Sequence, residues 1–76
     1  MHLKRLAAGE RAPEGWDYIR IERANNGEFS ATGAIAHAGG AVLSMATYES
    51  REKAEQAGRV WANAHGAEIV YLETFD

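Results

Sequence analysis

The stretch from Ser50 to Gly66, SREKAEQAGRVWANAHG, restricts the fold more than any other part of the chain. Wound at about 100° per residue, it places Ala54, Ala57, Gly58, Val60, Trp61, Ala64 and His65 on one stripe, with Glu52, Glu55, Gln56, Arg59 and Asn63 opposite. That pattern predicts an amphipathic helix. Ser50 is placed to cap it, because its hydroxyl can accept from the free amides of the first turn, and Glu52 suits the positive end of the helix dipole. Gly66 is placed to end it, since glycine enters the left-handed conformation without a Cβ clash. The apolar stripe is built from small residues, so the helix axis must lie close to what it covers, and a sheet is the natural partner. Trp61 is the one large anchor in this reading, and its replacement by alanine is expected to cost about 3–5 kcal/mol.

The residues before the helix supply the sheet. Trp16 to Arg23, WDYIRIER, is rich in aromatic and β-branched residues and predicts a first strand. Asn25-Asn26-Gly27 predicts a hairpin turn, and Glu28 to Ala36, EFSATGAIA, a second strand. A three-residue loop with Gly27 in a bulge position gathers Ile19, Ile21, Phe29, Ala31 and Ile35 on one face, a better core than the two-residue alternative gives. His37 to Gly40 reads as another turn and Ala41 to Thr47, AVLSMAT, as a third strand with Leu43 and Met45 inward. After the helix, Ala67 to Thr74, AEIVYLET, predicts a fourth strand, apolar on both faces, with Ile69 and Tyr71 on one and Val70 and Leu72 on the other. The expected fold is therefore α+β in the order βββαβ: a three-stranded antiparallel meander, one helix packed on one face, and a fourth C-terminal strand. Whether that strand lies beside the third or the first stays open. Residues 16–76 are read as a single domain and residues 1–15 as a flexible or irregular N-terminal segment.

One helix covers one face of such a sheet. The other face is expected to display Trp16 and Tyr18 with Val70 and Leu72, a patch that a second protein, a second copy of the chain, or the N-terminal segment itself would have to hide. Seventy-six residues are close to the size at which one core becomes marginal, which adds weight to self-association.

Charge bears on the choice of partner. The chain carries 8 Lys and Arg against 11 Asp and Glu, a net charge of −3. Nucleic-acid affinity rests largely on basic charge, so the balance disfavours that reading without excluding a local patch. Such a patch would be Trp16, Tyr18, Arg20 and Arg23, aromatic and basic groups able to stack bases and hold phosphates. No cysteine is present, which removes thiolate chemistry and disulfides and fits a reducing, cytoplasmic setting. No apolar run is long enough to span a membrane, so no membrane partner is expected.

Motifs for catalysis are thin. His2, His37 and His65 share no metal-ligand spacing, and His65 falls in the last helical turn, where a cation is favoured by the dipole. His37 in a glycine-containing turn is the only histidine with some claim to a site, and it has no partner in view. Gly33, Gly39 and Gly40 do not open a helix after a strand, as a phosphate-binding loop must. No catalytic residue, metal or cofactor is assigned.

The passage TYESREKAEQAGRVWANAHGAEIVYLE resembles the end of several small bacterial domains of unknown function, in which a strand and a capped Ala/Glu-rich helix lead to Gly-Ala-Glu and a final apolar strand. The likeness covers about residues 41–73 and implies a fold without a chemistry. A looser similarity is to three-stranded DNA-binding domains such as the arm-binding domains of tyrosine recombinases, from which this chain departs by its acidic charge and its fourth strand. The sequence thus leads to a non-enzymatic protein-interaction or homodimerisation module through Trp16, Tyr18, Val70 and Leu72, with nucleic-acid binding as the alternative.

Overall fold

The computed structural model describes residues 1–36 and 40–75. Its elements run β1 (His2–Arg5), β2 (Tyr18–Arg23), β3 (Phe29–Ile35), β4 (Ala41–Tyr48), α1 (Arg51–Ala64) and β5 (Ile69–Phe75). The class is α+β, with one helix and five strands in one mixed sheet of order β1-β5-β2-β3-β4. The βββαβ order is thus corrected, because four strands precede the helix. The additional strand comes from residues expected to be irregular. At four residues β1 is too short to show an alternation, and it is held by backbone pairing parallel to β5, with Leu3 against Val70 and Lys4 against Tyr71. Its inward residue, Leu3, packs on the core.

The hairpin between β2 and β3 has the register that favours the better core. Ile21 pairs with Ala31 and Ile19 with Gly33, and Gly27 adopts the left-handed φ of 83° that the turn requires. β5 enters between β1 and β2 and runs parallel to both, which settles its place beside the first predicted strand rather than the third. Interior and parallel to both neighbours, it is flanked on both sides and buries Val70 and Leu72 in the core.

The helix begins as its sequence dictates. Ser50 Oγ accepts from the amide of Lys53 at 3.2 Å, and Gly66, at φ 75°, follows the last turn. Its buried ridge is Ala54, Gly58 and Ala62, spaced four apart, so the buried face is turned relative to the predicted stripe. Val60 and Ala64 are exposed, and Trp61 is only half-buried, so the full-burial cost does not apply to it. The close approach expected of small residues is present. A Cβ on Gly58 would lie 2.6 Å from Ile19 Cγ2, and one on Gly33 would lie 2.6 Å from the Tyr18 carbonyl oxygen and 3.2 Å from the Trp61 ring. Both contacts are shorter than real side chains permit, so helix and sheet meet at these two glycines because neither has a side chain.

The core between helix and sheet is Ile19, Ile21, Ala31, Ile35, Ala54, Ala62, Ala67, Val70 and Leu72, with Leu3, Phe29, Ala41, Leu43, Tyr48 and Trp61 around it. Met45, expected inside, is 71 % exposed. The cause is a β-bulge: Gly33 pairs with Leu43 and Ala31 with Ala46, so Ser44 and Met45 together oppose Thr32. The extra residue switches the alternation, and Ala46 and Tyr48 rather than Met45 share the face of Leu43.

Candidate functional site

The face of the sheet away from the helix is assembled from alternate residues: Ile69, Tyr71, Glu73 and Phe75 of β5, Tyr18, Arg20 and Glu22 of β2, and Thr32 and Ala34 of β3. Trp16 precedes β2 and meets the Tyr71 ring edge-on at 5.9 Å between centroids. Tyr18 is the cross-strand neighbour of Tyr71. These rings are not bare. Lys4 sits over Tyr71 at 5.8 Å, Arg20 over Tyr18 at 5.5 Å and over Phe75 at 5.2 Å, and Arg11 over Phe75 at 5.5 Å.

The segment between β1 and β2 adds further cover. Leu6 donates its amide to the Leu72 carbonyl at 3.1 Å, and Gly9 its amide to the Thr74 carbonyl at 2.9 Å. Ala12 donates its amide to Glu73 Oε2 at 2.6 Å, while Arg20 Nε donates to the same carboxylate's Oε1 at 2.8 Å. Glu73 is thereby 2 % exposed yet fully engaged, and its hydrogen bond holds the Arg20 guanidinium above its ordinary pKa. The aromatic face is thus partly covered by its own chain, at Arg11 and Ala12.

This placement rearranges the predicted site residues. Trp16 and Tyr18 do share the open face, with Trp16 about half exposed. Val70 and Leu72 do not: at 0 % and 2 % exposed they point under the helix, because their alternation in β5 puts Ile69 and Tyr71 outward instead. The four residues therefore do not form one surface. The nucleic-acid set is divided as well. Arg20 lies beside Tyr18 but is committed to Glu73, whereas Arg23 is on the helix side, over the Phe29 ring at 5.2 Å with Arg51 at 5.3 Å.

The uncovered apolar surface is elsewhere. Val42 is 70 % exposed, Met45 71 % and Val60 60 %, the three highest values among the large hydrophobic residues. The first two lie together on one strand. Val42 and Met45 belong to β4, which pairs only with β3 and is an outer strand of the sheet. On the helix, Glu55 forms an ion pair with Arg5 of β1, and Val60, opposite the buried ridge of Ala54, Gly58 and Ala62 and one turn from Gln56, points away from the sheet. The sequence AVLSMATY holds no charge and no proline, the two devices that commonly protect an edge strand. That neutral run was visible in the sequence; its position at the edge and the bulge that turns Met45 outward were not.

Other groups carry less. Gly15, Trp16, Asp17, Gly66, Glu68 and Ile69 line a wide cleft at the start of β2 and β5, but Asp17 is already engaged, accepting from the Ala36 amide at 2.9 Å. His65 lies on the helix end with Nδ1 2.9 Å from the Trp61 carbonyl oxygen, His2 is exposed on β1, and His37, like Gly39, falls outside the described residues. Among the described residues no three His, Cys, Asp or Glu side chains are grouped as a metal site, and no helix is long and apolar enough to cross a membrane. Comparison of the chain with protein-family models, with curated proteins and with solved structures gave no match.

Proposed function

We propose that this chain is a non-enzymatic protein-interaction module of the cytoplasm whose partner joins at the β4 edge, by adding a strand to the sheet. The observation that carries the reading is the coincidence of an outer strand of eight residues without charge or proline and the two most exposed large apolar side chains, Val42 and Met45, both on that strand. An outer strand presents a row of free amides and carbonyls, and an added strand satisfies them while its side chains meet the exposed apolar ones. The aromatic face supports the reading indirectly, since Lys4, Arg11, Arg20 and residues 6–16 already cover it. Absence of cysteine suits a reducing compartment. Nucleic-acid binding is left with Trp16, Tyr18 and a paired Arg20 on the open face and is the weaker alternative.

Site-specific photo-crosslinking in cells that naturally make the chain tests this. A benzophenone side chain at position 42 or 45 should give a discrete protein adduct, and one at Gln56, on the exposed side of the helix, should give none. Adducts at all three positions alike, or at none, would remove β4 as the site of association.

A further inference from the structure

We propose that the occupant of the β4 edge is a second copy of this chain, with the two β4 strands antiparallel about a two-fold axis and the two sheets joined into one of ten strands. The inference rests on the reading of β4 as the association surface and adds the identity of the partner and the register. A two-fold interface must be complementary to itself. β4 meets that condition, being neutral along its length, so a copy of the same strand meets no like charge. β1, the other outer strand, reads His-Leu-Lys-Arg and would set adjacent cations against their own copies, besides being half as long.

The bulge fixes the register. Ser44 and Met45 are the middle two of the eight residues of β4, and on either side Ala41–Leu43 and Ala46–Tyr48 pair regularly with β3. Paired strands must match faces, and a slip of one residue would oppose inward to outward side chains. With the bulge at the dyad, Leu43 lies opposite the copy's Ala46 and Ala41 opposite its Tyr48, all on the helix side. Val42 then lies opposite the copy's Thr47 on the open side. The two exposed methionines meet at the axis. A bulge elsewhere in an edge strand disrupts pairing, but here it falls where the two straight segments of one strand match those of the other.

The helices complete the contact. Each packs on β3 with β2 and β4 beside it, and β3 is three strand spacings, about 14 Å, from its copy. A helix with its side chains is about 10–12 Å across, so the helix sides nearest β4 face each other with room only for side chains between them. A stable interface needs about 800 Å² from each partner, roughly a sixth of this chain's 4606 Å² surface, to be drawn from the β4 edge and the side of the helix beside it.

The test uses the full chain and two independent readouts. Light scattering at high micromolar concentration should give a mass near twice 8.3 kDa, and Val42→Lys with Met45→Lys should raise the dissociation constant by roughly a hundredfold or more, because the ammonium groups introduced at position 45 then meet at the dyad and those at position 42 are forced against the copy's Thr47. Both positions are exposed, and an unchanged thermal melt by circular dichroism confirms the variant's fold. The register is read separately by Val42→Cys with Thr47→Cys, which should oxidise to a covalent dimer far more completely than either cysteine alone. A wild-type monomer, or a dimer that persists in the lysine variant, overturns the proposal. Photo-adducts at positions 42 and 45 with a different protein, in a chain that stays monomeric, would retain β4 as the interaction edge and reject the second copy.

Discussion

Ile19→Ala should lower the unfolding free energy by about 2–5 kcal/mol. Ile19 is fully buried, pairs with Leu72 on one side and Gly33 on the other, and lies under the helix where Gly58 passes without a side chain. The cavity left by the truncation is bounded by paired backbone on both sides and by a helix already in contact, so little can move in to fill it. A chain of this length has about 4–11 kcal/mol in all at common values per residue. The variant should therefore be partly unfolded at room temperature, or melt far below wild type in a urea titration. A loss under about 1 kcal/mol would mean that the helix closes over the gap and that its seat on Ile19 is not what fixes the layer.

Glu73→Ala should be the next most damaging change. Its carboxylate accepts from Arg20 Nε and from the Ala12 amide, so truncation strands a guanidinium and a backbone donor together. Breaking a buried pair from one side costs about 3–5 kcal/mol, and because the Arg20 side chain keeps 23 % exposure, about 2–3 kcal/mol is the expected loss. The effect should also be local. Residues 6–16 are tied to β5 at Leu72, Glu73 and Thr74, and freeing the middle tie should speed amide exchange at Ala12 well beyond the fall in global stability. Exchange at Ala12 that changes only in step with the global unfolding would show that the segment does not depend on Glu73.

The helix, its Ser50 cap, its Gly66 end and the hairpin register were legible in the sequence because each follows from local chemistry: a hydroxyl that caps, a glycine that takes a positive φ, a face that needs Ile19 and Ile21 beside Ala31 and Ile35. What was not legible depends on partners distant in the chain. β1 exists because β5 offers it a pairing edge, and four residues show no period of their own. The side of β5 that faces the helix is decided by its register against Ile19, so Val70 and Leu72 are core and the outward pair is Ile69 and Tyr71. Met45 was placed inward by strict alternation, and one bulged residue opposite Thr32 reverses that. The same bulge turns the neutral strand into an exposed apolar edge.

Amide hydrogen exchange of the native protein, followed as its concentration is raised, tests the pairing of β4 with its own copy most directly. The account predicts that β4 amides become more protected with concentration while those of β1, the other outer strand, stay as they were. Exchange in β4 that is rapid and the same at every concentration would contradict it.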